Sequence, residues 1–140
     1  MSMFSSSLFG EKRSKYGNKR VQFQGLNFDS IGERDRYIQL KQSMTDGEIF
    51  NLVRQARYPL TAHGVKICDY VADFAYEVVT KDHGFPEIKK VVEDFKGVMT
   101  DVFRIKAKMF KAQYGFEITI STARSRPKYS KGGLDAWKKN

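Results

Sequence analysis

Residues 67–97 read ICDYVADFAYEVVTKDHGFPEIKKVVEDFKG. Two β-type runs flank a loop rich in glycine, proline and charge, and this pattern predicts an antiparallel hairpin. If the turn centres on residues 83–84, a symmetric hairpin places Asp73 directly opposite Asp94. Strand alternation then adds Lys96 to the same face. Because two facing carboxylates repel each other, the pattern indicates a site for a cation.

The register of this hairpin decides which acid belongs to the site. Charged side chains in otherwise apolar strands cost free energy unless they are paired or bind a metal. A slip of one residue would replace Asp94 by Glu93, because successive strand residues point to opposite faces of a sheet. At the level of sequence, both acids therefore stay candidates.

Composition predicts one globular domain. The chain has 140 residues, of which 41% are hydrophobic, and this is enough for a core. Cys68 is the only cysteine, so no intrachain disulfide is possible, and we expect a buried thiol in a reducing compartment. His63 and His83 lie in turn-like segments and are expected to be exposed rather than metal ligands. We see no signal peptide and no apolar run near the ~20 residues of a membrane span, so no membrane partner is expected.

The net charge of +9 is unevenly distributed. Residues 1–29 carry +3, residues 101–121 carry +2 and residues 122–140 carry +5, whereas residues 30–100 carry −1. This distribution suits a polyanion such as DNA that reaches an acidic, nearly neutral centre. A generic basic surface would have the same net charge.

Three segments follow from these patterns. Residues 1–20 are expected to form a flexible basic arm, residues 21–122 the folded domain, and residues 123–140 a basic, disordered tail. The arm either binds phosphates or only keeps the chain soluble. Its candidate DNA-binding residues are Lys15, Lys19 and Arg20.

Residues 30–46 predict the first helix. Ser30 is a suitable N-cap, Glu33 completes a capping-box pattern, and Gly47 is a plausible stop. Stepping back one turn along the apolar stripe leads to Glu33, so this acid is expected to face the body of the protein. The capping box alone would also explain a glutamate here. The stripe consists of Tyr37, Leu40 and Met44.

Residues 100–115 predict a second helix, capped by Thr100. Its apolar residues, at 102, 103, 105, 109, 110 and 114, are expected to make a wide buried face. Its basic side chains either contact DNA or only solvate the outer surface, and they are Arg104, Lys106, Lys108 and Lys111. A small hairpin or two short strands are expected within residues 21–28, a turn and then a strand within 48–60, and a strand within 116–122. Gln55 either reaches the site or is only an exposed polar residue.

The order of these features resembles the PD-(D/E)XK nuclease superfamily, and within it the small phage endonucleases described as Holliday-junction-resolvase-like. The resemblance covers about residues 15–121. Ala72 stands where the superfamily name has proline, and the acid-x-Lys element is Asp94-Phe95-Lys96. The residues that carry it are KYGNKR at 15–20, GLNFDSIGERDRY at 25–37, YVADF at 70–74 and VVEDFKGV at 91–98, followed by a helix with alternating basic residues.

This resemblance implies an α/β (α+β) domain with a restriction-endonuclease-like core. The expected core is a mixed sheet of four to five strands, with a central antiparallel hairpin flanked by helices. It implies a Mg²⁺-dependent endonuclease, with Mn²⁺ able to substitute, that cuts branched DNA to 5′-phosphate and 3′-hydroxyl ends. A homodimer acting in DNA recombination in the cytoplasm of a phage-infected cell is implied as well.

The same resemblance assigns the site residues. Asp73, Asp94 and the Phe95 carbonyl would hold Mg²⁺, and Glu33 would complete the site directly or through water. Lys96 would orient or deprotonate the attacking water, or stabilise the developing charge. Two alternatives stay open: a nuclease of this fold that acts on linear or nicked DNA, and a non-catalytic DNA-binding protein on a nuclease scaffold.

Overall fold

A computed structural model describes residues 20–81 and 84–129. These residues form an α+β fold with a four-stranded mixed sheet, a separate two-stranded hairpin and two helices. The elements are β1 (Val21–Phe23), β2 (Leu26–Phe28), α1 (Ile31–Thr45), β3 (Phe50–Ala62), β4 (Val65–Thr80), β5 (Glu87–Phe95), α2 (Asp101–Tyr114) and β6 (Thr119–Ser121). Among the described residues, no helix is long and apolar enough to cross a membrane.

The large sheet has the strand order β3-β4-β5-β6. Strands β3, β4 and β5 are antiparallel neighbours, whereas β6 runs parallel to β5. The predicted hairpin is therefore β4–β5, at the centre of the sheet. Its pairs include Phe74 with Glu93 and Ala75 with Val92, which is the predicted register. Of the predicted turn, His83 lies outside the described residues.

Both predicted helices are confirmed, with their caps. The Ser30 hydroxyl accepts from the Glu33 N–H at 3.1 Å, and Gly47 has φ +77° just beyond the end of α1. The Thr100 hydroxyl accepts from the Phe103 N–H at 3.1 Å and begins α2. Gly115 ends α2 in the left-handed conformation that glycine adopts without steric cost.

The two helices cover opposite faces of the sheet. On one face, Tyr37 and Leu40 of α1 pack with Phe74 and Tyr76 of β4 in what we call the α1 cluster. On the other face, Phe103 and Phe110 of α2 pack with Tyr70, Ala72 and Val92 in the α2 cluster. The prediction of a wide buried face on α2 is wrong at Val102 and Ile105, which are 63% and 60% exposed. Only Phe103 and Phe110 are fully buried on this helix, because α2 meets the sheet along a narrow stripe. Cys68 is half-buried beside the α2 cluster rather than fully buried.

The alternation of side chains between the two faces of the sheet is interrupted on β3 and β4 at neighbouring positions, between the pairs Arg54–Phe74 and Ala56–Ala72. On β4, Ala72 belongs to the α2 cluster, whereas Phe74 belongs to the α1 cluster. On β3, Ala56 packs with the α2 cluster, whereas the Arg54 guanidinium lies 4.2 Å from the ring centroid of Phe28 on the α1 side. Residues two apart in a regular strand share a face. Both strands therefore switch faces, and the residues between the switched pairs are Gln55 and Asp73.

The packed chain continues beyond the predicted domain boundary at residue 122. The Tyr129 ring is 9% exposed and packs against Tyr76, so residues 123–129 run back over the α1 face of the sheet. The prediction of a disordered tail from residue 123 therefore does not hold for residues 123–129. They contain no helix or strand, but Tyr129 at their end is packed against the sheet. The rest of the predicted tail, and the arm up to residue 19 with Lys15 and Lys19, lie outside the described residues.

Candidate active site

The open end of the β4–β5 ladder brings Asp73, Asp94 and Lys96 together. Just beyond the last ladder pair, the Phe95 N–H donates to Asp73 Oδ2 at 2.9 Å. Lys96 Nζ lies 3.2 Å from Asp94 Oδ1, and the Tyr70 hydroxyl donates to Asp94 Oδ2 at 2.5 Å. The Asp94 side chain is 4% exposed and that of Lys96 is 24% exposed. One side of Lys96 therefore stays open to solvent or to a ligand.

Mutual repulsion and burial set the protonation of the carboxylate pair. The pKa of Asp73 is raised from its ordinary value to about 9, first by burial and then by the hydrogen bond to and the charge of Asp94. Glu33 contributes to the rise, and the Phe95 N–H opposes it. At neutral pH and without a metal, the pair therefore shares a proton. A hydrogen bond between the two carboxyls requires that proton.

Glu33 approaches this pair from the first turn of α1. Its side chain is buried, and one carboxylate oxygen accepts from the Asp29 N–H at 3.3 Å. Burial raises the pKa of Glu33, and the nearby charges of Asp29 and Asp94 add to the rise. The prediction that Glu33 faces the body of the protein is thus confirmed. Its carboxylate does not return to the Ser30 N–H as a full capping box would, since it binds the Asp29 N–H instead.

Gln55 combines the two interpretations that its sequence position left open, because it is exposed and also reaches Glu33. Its residue surface is exposed, yet its amide donates to Glu33 Oε1 at 3.5 Å. The backbone of Gln55 has φ +53°, which is unusual for a side chain with a β-carbon. This backbone is where β3 switches faces, and the sequence pattern of an ordinary strand did not predict the switch.

Glu93 is excluded from this face by its own partners. Arg36 binds it through two hydrogen bonds of 2.6 and 2.8 Å, and the hydroxyls of Tyr76 and Ser121 donate to it at 2.7 and 2.8 Å. Glu93 is fully buried in this network on the α1 side. Asp94 therefore belongs to the candidate site, and the alternative of a slipped strand is removed.

The donor set fits a hard cation only in part. Within residues 20–81 and 84–129, no three or more His, Cys, Asp and Glu side chains are arranged as a metal-binding group. The predicted set of three carboxylates is thus not assembled, because Glu33 is turned toward Asp29 and Gln55. The facing pair of Asp73 and Asp94 does offer the oxygen ligands that Mg²⁺ prefers, at the place where a proton now offsets their repulsion.

The predicted DNA-binding residues of α2 are largely paired within the protein. Arg104 lies 3.2 Å from Asp101, and Lys111 lies 2.9 Å from Glu117. Lys106 donates to the Asp69 carbonyl at 3.1 Å. Lys108 and Arg20 are exposed, and Arg20 approaches Asp29 at 3.9 Å. Exposed pairs of this kind are weak, so they do not prevent contact with a phosphate. His63 is exposed, as predicted.

Residues 13–131 match the model of the family described as Protein of unknown function (DUF1064), and the chain belongs to that family. Neither a curated protein nor a solved structure matches the chain.

Proposed function

We propose that this protein is a metal-dependent endodeoxyribonuclease of the PD-(D/E)XK type that hydrolyses phosphodiester bonds in branched DNA. One observation carries the proposal: Asp73 and Asp94 face each other on the central hairpin, and Lys96 is paired with Asp94. The order of helix, hairpin, helix and parallel strand is compatible with a restriction-endonuclease-like core. The products would carry 5′-phosphate and 3′-hydroxyl ends.

Asp73, Asp94 and the Phe95 carbonyl would hold Mg²⁺, and Mn²⁺ would substitute. Glu33 would join them directly or through water. The bound ion would supply a water of lowered pKa and would neutralise charge on the scissile phosphate. Loading the site requires Asp73 to give up its proton, since the coordinating carboxylate must be ionised.

The protein's own groups then have separate roles. The Phe95 N–H fixes the Asp73 carboxylate, and the Tyr70 hydroxyl fixes that of Asp94. Lys96 is anchored by Asp94 on one side and by the Phe103 ring, 4.1 Å from its ammonium nitrogen. Its ammonium would orient the attacking water or stabilise charge that develops on the phosphate in the transition state.

A branched substrate has a structural consequence. Resolving a junction needs two symmetric cuts, and therefore two active sites related by a twofold axis. We propose a homodimer that acts on DNA during recombination, in the cytoplasm of a phage-infected cell. The exposed apolar side chains of Val102 and Ile105 leave apolar area available on α2 for such contacts.

Two other functions compete with this one. The same core could cut linear or nicked DNA, which would need only one site per event. A non-catalytic DNA-binding protein is also compatible with the basic ends of the chain. The lack of an assembled three-carboxylate group among the described residues favours this last alternative. The close pairing of Lys96 with Asp94 is not needed for DNA binding alone, and it supports the nuclease.

Cleavage of three labelled DNAs tests the proposal: a four-way junction, a linear duplex and a single strand, each in Mg²⁺ and in chelator. We expect Mg²⁺-dependent cleavage with the junction preferred. Lys96→Ala and Asp94→Asn should each lower the rate at least about 10²-fold. Equal rates for the wild type and both variants would refute the site assignment.

Metal binding should be measured separately from cleavage. Calorimetric titration with Mn²⁺ should detect a site in the wild type that Asp94→Asn weakens. Asp101→Asn is the matched control, because Asp101 is exposed and paired with Arg104 on the surface of α2. A protein that binds junction DNA but takes up no metal would favour the non-catalytic alternative.

A further inference from the structure

The segment that follows β6 forms one wall of a groove of about 910 Å³ against α1. This segment, residues 122–129, carries three basic side chains and no acidic one. Gln39 and Gln42 of α1 line the opposite wall. The basic side chains are Arg124, Arg126 and Lys128, and all three line the groove.

The backbone of this segment is fixed at both ends. The Thr122 N–H donates to the Ser125 carbonyl at 2.8 Å, and the Ser125 N–H donates to the Thr122 hydroxyl at 3.0 Å. Arg126 Nε donates to the Thr122 carbonyl at 3.2 Å. At the other end, Tyr129 is buried against Tyr76. The three basic side chains therefore project from a held backbone, which lowers the entropy cost of binding an anion.

The strand topology places this wall beside the candidate active site. Strand β6 is parallel to β5, and Phe95 pairs with Ser121 at their ends. Parallel neighbours end at the same edge of a sheet, so the chain that leaves β6 starts next to the acid-x-Lys element. The Arg126 guanidinium carbon lies 5.6 Å from the ring centroid of Phe95. The wall therefore begins beside Phe95, and the groove extends from there along the α1 side of the sheet, where Arg36 binds Glu93.

The charges in the groove favour an anion. Arg36 lies at its floor but is neutralised by Glu93. Glu48 is the acid among the groove residues, against the three cations of the segment. Arg124 and Lys128 are exposed, whereas Arg126 is half-buried between Thr122 and Phe95. A spaced row of cations on a fixed backbone matches the repeating charge of a phosphodiester chain.

We infer that this groove binds the phosphate backbone of the DNA strand whose scissile bond enters the site, with Arg124 and Lys128 as the main contacts. The inference rests on the proposed function and names the surface through which the substrate is held. It adds a DNA-binding element in a segment that the sequence predicted to be disordered.

Salt dependence of DNA binding tests this contact without cleavage. Anisotropy of a labelled four-way junction is measured in chelator at several salt concentrations, for the wild type and for Arg124→Gln/Lys128→Gln. Each phosphate contact contributes about 0.9 to the slope of log K against log salt. The double variant should therefore lower the magnitude of the slope by about 1.8.

The double variant Lys66→Gln/Lys90→Gln is the matched control, because it also removes two exposed positive charges. Lys66 lies seven residues along β4 from Asp73, and Lys90 lies four residues along β5 from Asp94. The control should keep the wild-type slope. Equal slopes for both double variants would refute the binding of DNA by the groove, even if the wild type cuts DNA in Mg²⁺. A groove-dependent slope in a protein that never cuts would instead refute the proposed nuclease and keep the groove.

Discussion

Glu93 and Asp94 are neighbours on β5, and their carboxylates bind groups on opposite faces of the sheet. Glu93 is held by Arg36 of α1, whereas Asp94 is held by Tyr70 and Lys96. The first interaction joins α1 to the sheet, and the second shapes the candidate site. Adjacent acids in one strand therefore have a structural and a proposed chemical role.

This division predicts that Glu93→Gln mainly lowers stability, whereas Asp94→Asn mainly lowers cleavage. Glu93→Gln should lower the free energy of unfolding by about 3–5 kcal/mol, because it leaves the buried Arg36 charge without its partner. Asp94→Asn should change it far less, because its charged partner Lys96 is partly exposed and the amide oxygen can still accept from the Tyr70 hydroxyl. Urea unfolding measures the stabilities, and junction cleavage should be lost in Asp94→Asn. A Glu93→Gln protein as stable as the wild type would contradict the assignment.

Asp73 makes stability depend on pH. Its pKa is raised to about 9, so between about pH 4 and pH 9 the folded state holds a proton that the unfolded state has released. The free energy of unfolding should therefore fall as pH rises through this window. Without metal, Asp73→Asn should be more stable than the wild type at pH 8 by at least about 1 kcal/mol, and the difference should vanish near pH 4.

Thermal or urea unfolding at several pH values measures this difference, with Asp101→Asn as the exposed-acid control. Mg²⁺ should stabilise the wild type at pH 8 more than Asp73→Asn, because the ion replaces the shared proton. A difference between wild type and Asp73→Asn that stays constant with pH would show that the pair does not share a proton.

Gly32 provides the space for the Phe95 ring. A β-carbon on Gly32 would overlap two ring atoms of Phe95, so Gly32→Ala must displace the ring. The residues on either side of Phe95 are Asp94 and Lys96, and the substitution should therefore lower cleavage about tenfold or more. Overpacking costs about 1–3 kcal/mol, partly offset by the better helix propensity of alanine.

Gly97→Ala is the matched control, because a β-carbon there would meet no atom within 4 Å. It should leave both cleavage and the urea midpoint close to those of the wild type. If Gly32→Ala cleaves junctions at the wild-type rate, the position of the Phe95 ring does not matter for the site.

Gln55 and Asn51 allow a paired test of the contact with Glu33. Both have left-handed backbones on β3, with φ +53° and +56°, and each donates one side-chain hydrogen bond to a glutamate. Replacing either by glycine should relieve about 1 kcal/mol of backbone strain and remove one hydrogen bond, so stability should change little. Only Gln55→Gly should lower cleavage, since Asn51 binds Glu77 instead. Equal rates for the two variants would remove Gln55 from the site.

Local patterns determined much of this fold. The caps at Ser30 and Thr100 fixed where both helices begin, because the hydroxyl and the N–H that it accepts are three residues apart. A symmetric turn centred on residues 83–84 and the alternation of β4 and β5 predicted that Asp73 lies opposite Asp94. That register depends only on the turn and on the period of two residues in a strand.

Only the tertiary structure decided the rest. Which acid is neutralised depends on Arg36, which comes from another element, so Glu93 and Asp94 could not be told apart in the sequence. The face switch at Gln55 and the return of Tyr129 onto Tyr76 need partners that are distant along the chain. The exposure of Val102 and Ile105 has the same origin, because periodicity names a helix face, whereas the neighbouring sheet determines how much of that face is covered.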